Sequence, residues 1–173
     1  MNGAAMRFRC QNVFNCDANT YWTKLFFDKE YNDGLYRNVL GFKSFEIQEL
    51  TGEPGGDRTR RMYTEPMAEA PAVVTKLIGG GLAYTERGSF DAKTEKWTYA
   101  ITTNRLTEKV RIGGTLWVEP RGEKKIERFC EVELEVKVMG VGGVIEKFIA
   151  DTTRDSYEKT AKYTNEFIAR KGY

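Results

Sequence analysis

The sequence contains no histidine. That absence removes Ser-His-Asp triads, Cys-His pairs and most zinc or iron sites. Cysteine is scarce: Cys10, Cys16 and Cys130 are an odd number without paired spacing. No disulfide framework is expected, and three free thiols fit a reduced, cytoplasmic compartment. Neither sign of charge dominates. Lys and Arg number 27 against 25 Asp and Glu, a net charge of +2, which argues against the strong field of a nucleic-acid binder. No apolar run approaches the about 18 residues of a membrane span. The opening MNGAAMRFRC has no apolar core of a signal peptide. Internal repeats, linkers and low-complexity runs are also missing.

What is present suits one domain over residues 1–173, with 40% hydrophobic and 13% aromatic residues to build a core. The most informative stretch is the last. From 141 to 170 there is no proline, and after Gly143 no glycine until Gly172. Val141, Ile145, Phe148, Ile149, Thr152, Ser156, Thr160, Tyr163 and Phe167 recur at helical spacing, with Lys147, Asp151, Arg154, Glu158 and Lys162 opposite. The pattern predicts an amphipathic helix of roughly 25 residues, about 38 Å long. Arg170 and Lys171 suit its C-terminal dipole, and Gly172 its stop. Its inner face is bulky at both ends but small and hydroxylated in the middle, at Thr152, Ser156 and Thr160. Either the backbone approaches a neighbour closely there, or the helix borders a cavity with hydroxyls aimed into it.

Alternation predicts strands over Met6–Phe14, 42–50, Arg58–Glu65, 82–90, Lys96–Thr103, 110–118 and 124–139. Asp17 and Asp28 read as N-caps of two short helices, over 18–27 and 28–36, the second weakened by Gly34. The connection 66–81 reads as a flap whose centre, Ala72–Ile78, is a short helix or a gate. Hairpin-length joins imply an antiparallel meander, and twist makes so many strands curl. The expected architecture is α+β: a curved antiparallel sheet of about seven strands wrapped on the terminal helix, with two short helices after the first strand.

The last strand carries Cys130, Val132, Leu134, Val136 and Val138 on one face and Glu127, Glu131, Glu133, Glu135 and Lys137 on the other. The carboxylate row is read as a solvated outer face. Carboxylates two apart on a strand stand nearly 7 Å apart, too far for one strand to clamp a cation. Ile126 and Arg128 share the inward register. A buried guanidinium needs compensation: a place at the open rim, an ion pair with an inward acid such as Glu86, or contact with an anionic ligand. Trp97, Tyr99 and Ile101 share a face, and so do Val110, Ile112, Leu116 and Val118; Met62 competes with Tyr63 for the inward side of its strand.

Two stretches, MRFRCQNVFNCDANTYWTKLFFDKEY and VELEVKVMGVGGVIEKFIADTTRDSYEKTAKYTNEFI, resemble the opening and closing of the START-like superfamily. This is the helix-grip fold of lipid-transfer domains, plant ligand-binding allergens and polyketide cyclases. The second stretch is similar to an uncharacterised START-like family. The resemblance covers nearly the whole chain as topology and pattern, without a catalytic motif to carry over. It implies an internal hydrophobic cavity opening near one end of the grip helix.

The leading functional reading is binding or intracellular transport of a lipid-like hydrophobic small molecule, with transient membrane contact through the flap. The expected cavity wall is Met62, Tyr99, Ile101, Leu116, Arg128, Val132, Ile145, Phe148, Thr152, Ser156 and Thr160. No catalytic residue, metal ligand, cofactor or nucleic-acid partner is expected. The alternatives are a protein-interaction module using the groove beside the helix, and a cyclase- or aromatase-type enzyme. For the enzyme, Tyr99, Glu86 and Arg128 are the residues able to do acid–base work.

Overall fold

A computed structural model describes residues 5–67 and 69–173. The chain runs β1 (Met6–Phe14), α1 (Ala18–Thr20, widening into a π-helical turn over Tyr21–Leu25), α2 (Lys29–Asp33, likewise widening over Gly34–Val39), β2 (Ser44–Thr51) and β3 (Arg58–Glu65). It continues through α3 (Ala72–Ile78), β4 (Tyr84–Asp91), β5 (Lys96–Thr103), β6 (Val110–Gly122), β7 (Lys125–Val136) and α4 (Gly142–Lys171). All strand pairs are antiparallel, in one seven-stranded sheet of order β1-β7-β6-β5-β4-β3-β2. The meander from β2 to β7 follows from its short joins. β1 pairs with β7, and α1 and α2 carry the chain from that edge to β2 at the other. The grip helix α4 lies along β1 and β7.

Both aspartates cap as their positions imply. Asp17 Oδ1 accepts from Thr20 N at 2.7 Å, and Asp28 Oδ1 from Tyr31 N at 2.7 Å. Gly34 does not end α2. A Cβ there would stand 2.2 Å from Tyr163 Oη, so glycine is what lets α4 close onto α2. Tyr31 adds a buried hydroxyl pair with Thr164 at 2.7 Å.

Several boundaries differ from expectation, those of α4, β7 and β6 among them. α4 is longer, 30 residues, and Val141 is its cap rather than its first turn. β7 stops at Val136 because Lys137 N turns to Lys109 O, at 2.7 Å, and Gly140 (φ +79°) redirects the chain. β6 runs past Pro120 to Gly122, with a register shift that accommodates the missing N–H, so the turn falls at 123–124.

The outer carboxylates of β7 are matched by basic side chains. Glu133 pairs with Arg7 at 2.7 Å, Glu131 with Arg9, and Glu127 with Arg121 at 2.7 Å. The concave face holds two clusters. An aromatic one gathers Phe14, Tyr21, Trp22, Phe27, Trp97 and Phe167 around α1 and α2. An aliphatic one gathers Val74, Ile78, Val110, Leu134 and Ile145 under α3. No helix among the described residues is long and apolar enough to cross a membrane.

Candidate functional site

Between the sheet and α4 lies a cavity of ≈ 760 Å³, within the roughly 300–1,000 Å³ usual for small-molecule sites. α4 contributes Ile145, Phe148, Thr152, Ser156 and Thr160 to its wall, and the sheet contributes Tyr99, Ile101, Leu116, Arg128 and Val132. These ten were expected from alternation and helical spacing. Met62 was expected too, and it is not on the wall. It is buried on the inward face of β3, opposite Glu86. At that edge of the sheet Tyr36 stacks on Phe45 of the neighbouring β2, with centroids 4.3 Å apart.

The small middle of α4 therefore faces space, but its hydroxyls are not uniformly aimed into it. Thr160 Oγ1 donates to its own helix at Ser156 O, 2.6 Å, and Thr153 Oγ1 to Ile149 O, 2.8 Å. Tyr157 was missed. It follows Ser156, lines the cavity, and widens the inner stripe of the helix beyond the positions that periodicity selects. The wall from α1 and α2 was missed as well: Tyr21, Tyr31 and Tyr36. Their short elements carry too few turns for a periodic signal. Gly114 of β6 makes room for the Tyr99 side chain. A Cβ there would meet Tyr99 Oη at 2.7 Å.

The flap helix α3 turns Val74, Thr75 and Ile78 to the cavity and leaves Val73 and Leu77 exposed. Around it the lining includes exposed Met67, Glu69 and Arg105, so the cavity opens beside this helix.

Three charged side chains are held deep in the wall. Arg60 Nη2 stands 3.3 Å from Glu86 Oε1, and its Nη1 donates to Phe26 O at 2.7 Å. Burial raises the Glu86 pKa, opposed by Arg60. Arg128 is 5% exposed, so it is not at a rim, and the acid proposed for it belongs to Arg60 instead. Its Nη2 donates to Asn12 Oδ1 at 2.6 Å, with the Phe14 and Tyr157 rings 4.8 and 4.5 Å from its Cζ. Arg60 carries a sequence signal, since it alternates with Met62 on β3.

The three residues suited to acid–base work are each engaged separately: Glu86 with Arg60, Arg128 with Asn12, and Tyr99 Oη with Cys130 Sγ at 3.4 Å. Burial raises the Tyr99 pKa, and proximity to Cys130 adds to it. The three thiols are free and buried. Desolvation, reinforced by Cys130, pushes Cys10 up to about 11, and desolvation, reinforced by Asp17, pushes Cys16 to about 12. They are protonated thiols at neutral pH, poor as nucleophiles.

A curved antiparallel sheet closed on a long C-terminal helix, with an internal cavity, is the helix-grip architecture of START-like proteins. TTHA0849 from Thermus thermophilus superposes with a TM-score of 0.67 at 14% identity, over 97% of this chain and 100% of that one. The Zhui aromatase/cyclase from Streptomyces sp. R1128 gives 0.62 at 12%, over 98% and 97%. A START superfamily protein from Mycobacterium smegmatis gives 0.58 at 10%, over 96% and 99%. At such identities the likeness is one of fold. No curated protein matches the sequence. Residues 10–168 match the family described as "Protein of unknown function (DUF2505)", and the chain belongs to that family.

Proposed function

We propose that the chain is a single non-enzymatic domain that binds, and carries within the cell, a lipid-like hydrophobic small molecule between its sheet and α4. The observation that carries this reading is the ≈ 760 Å³ cavity with aliphatic and aromatic groups over most of its wall. Burying an apolar ligand surface at about 25 cal/mol per Å² supplies ample affinity without covalent chemistry. The fold of the START-like neighbours supports the reading at the level of ligand class. α3 acts as the gate. Its exposed Val73 and Leu77 touch a membrane transiently while Lys76 meets headgroups. Three reduced thiols fit a cytoplasmic location.

The experiment has two arms. Native mass spectrometry of the purified protein should reveal a co-purifying hydrophobic small molecule. Replacing Thr152 and Ser156 together by Leu should abolish uptake of a fluorescent lipid while the melting temperature holds or rises, because the added methylenes enter empty volume. In a close-packed site the same change would cost about 1–3 kcal/mol per site. A clear fall in melting temperature, with no uptake by the unmodified protein, defeats the reading.

A further inference from the structure

We propose that the ligand is a monocarboxylate on an apolar body, seated with its carboxylate against the guanidinium of Arg128. This rests on the cavity reading above and specifies it. The reason is charge compensation. Two guanidiniums are buried in the wall, Arg60 at 4% and Arg128 at 5% exposure. Among the described residues, Glu86 is the one carboxylate held beside them inside the wall, and it stands 3.3 Å from Arg60. Among the described residues no carboxylate lies within 4 Å of Arg128. Lys43 and Glu65, also on the wall, neutralise each other at 2.8 Å, and Glu69 and Arg105 are exposed at its edge.

The partners Arg128 does have are neutral. Asn12 offers an amide oxygen, Phe14 and Tyr157 offer ring faces, and Nε has no acceptor. Ring faces attract a cation but carry no net charge. Removing a guanidinium from water costs more than such contacts return. The nearby Tyr21, Tyr31 and Tyr157 cannot supply the missing anion, since burial holds each hydroxyl protonated above its ordinary range. One uncompensated positive charge calls for one negative charge. A carboxylate brings that and accepts from guanidinium in a planar fork. A phosphate monoester would bring nearly two, and among the described residues no second buried cation of the wall is left unpaired, Arg105 being exposed at its edge. The apolar remainder of the ligand then lies along Val132, Leu116 and the small middle of α4.

The test measures displacement of the neutral dye Nile red from delipidated protein at pH 8 by dodecanoic acid and by its methyl ester. The unmodified protein should bind the ionised acid at least tenfold more tightly than the ester. Arg128→Met should bring that ratio close to one, and Arg128→Lys should preserve most of it. Equal affinity for acid and ester in the unmodified protein overturns the proposal. So does a tenfold preference that survives in a folded Arg128→Met protein. The first comparison needs no variant, so it stands even where Arg128→Met fails to fold. If Nile red, acid and ester all fail to bind, the cavity reading falls as well. If dye and ester bind without preference for the acid, only the carboxylate assignment falls.

Discussion

The two ends of the cavity are built from different materials. Around α1 and α2 the wall is aromatic and closed. In this wall and packed behind it, Trp22 and Phe90 lie 4.4 Å apart, Phe26 and Trp97 5.2 Å, and Tyr31 and Phe167 5.4 Å, mostly edge to face or tilted. The charged and amide groups Arg60, Glu86, Arg128 and Asn12 are threaded among these rings. Under α3 the wall is aliphatic and thinner. Val74 and Ile78 are buried, while their neighbours Val73 and Leu77 on the same short helix are about 40% exposed. The difference is one of support. Rings interlocked from three elements fix one arrangement and hold buried polar groups in place. A seven-residue helix resting on two valines, a leucine and an isoleucine has little to lose by lifting. The aromatic end is suited to hold and orient, the aliphatic end to admit.

Alkali should attack the contrast most severely. Burial raises the pKa of Tyr21, Tyr31, Tyr36, Tyr99 and Tyr157, whereas the aliphatic cluster contains no tyrosine. The unfolded chain releases these protons near pH 10 and the folded one retains them. Stability is therefore intact below about pH 10. It falls as pH rises beyond, by about 1.4 kcal/mol per pH unit for each tyrosine that stays protonated only when folded. Thermal melts followed by phenolate absorbance should show tyrosine ionisation coinciding with unfolding. Gradual ionisation of a folded protein would mean that this end is not closed.

A pair of substitutions compares the ends directly. Trp97, 1% exposed, touches Phe26 and Phe27, and Trp97→Ala should cost about 3–5 kcal/mol in denaturant titrations. Ile78→Val in α3 should cost about 0.5–1.5 kcal/mol, or less where α3 is already partly open. Similar losses at both sites would remove the distinction between a fixed end and a gate.

Smaller than the tryptophan effect is that of Gly34→Ala, which sharpens the account of how α2 and α4 meet. The new methyl must displace Tyr163 Oη, which now donates to Tyr31 O at 3.1 Å. Overpacking of this kind costs about 1–3 kcal/mol. Adding Tyr163→Phe should restore part of the loss in the same assay; no restoration would place the strain elsewhere.

Much of the scaffold could be read directly from residue order. Period-two alternation marks seven strands, and the break to helical spacing after Gly143 marks α4. Asp17 and Asp28 mark the two short helices, because a cap acts within three residues of its own position. The same patterns single out ten residues that lie along the cavity, since a side chain's face follows from its register. They fail at Met62, where the face is right but the side chain is buried away from the cavity. They fail also at Tyr157 and the tyrosines of α1 and α2, where the elements are too short or the stripe too broad for periodicity to speak.

Residue order sets the elements and the side of each that turns inward, because both arise from local geometry and the solvation of alternate faces. Which buried groups meet is set by the assembled sheet. Glu86 answers Arg60, 26 residues away, and not Arg128; Arg128 meets Asn12 across 116 residues. Those pairings depend on strand order and on the curl of the sheet, and no residue carries that information in its own neighbourhood. The guanidinium left without an anion becomes visible only once Glu86 is assigned to Arg60 and Glu65 to Lys43.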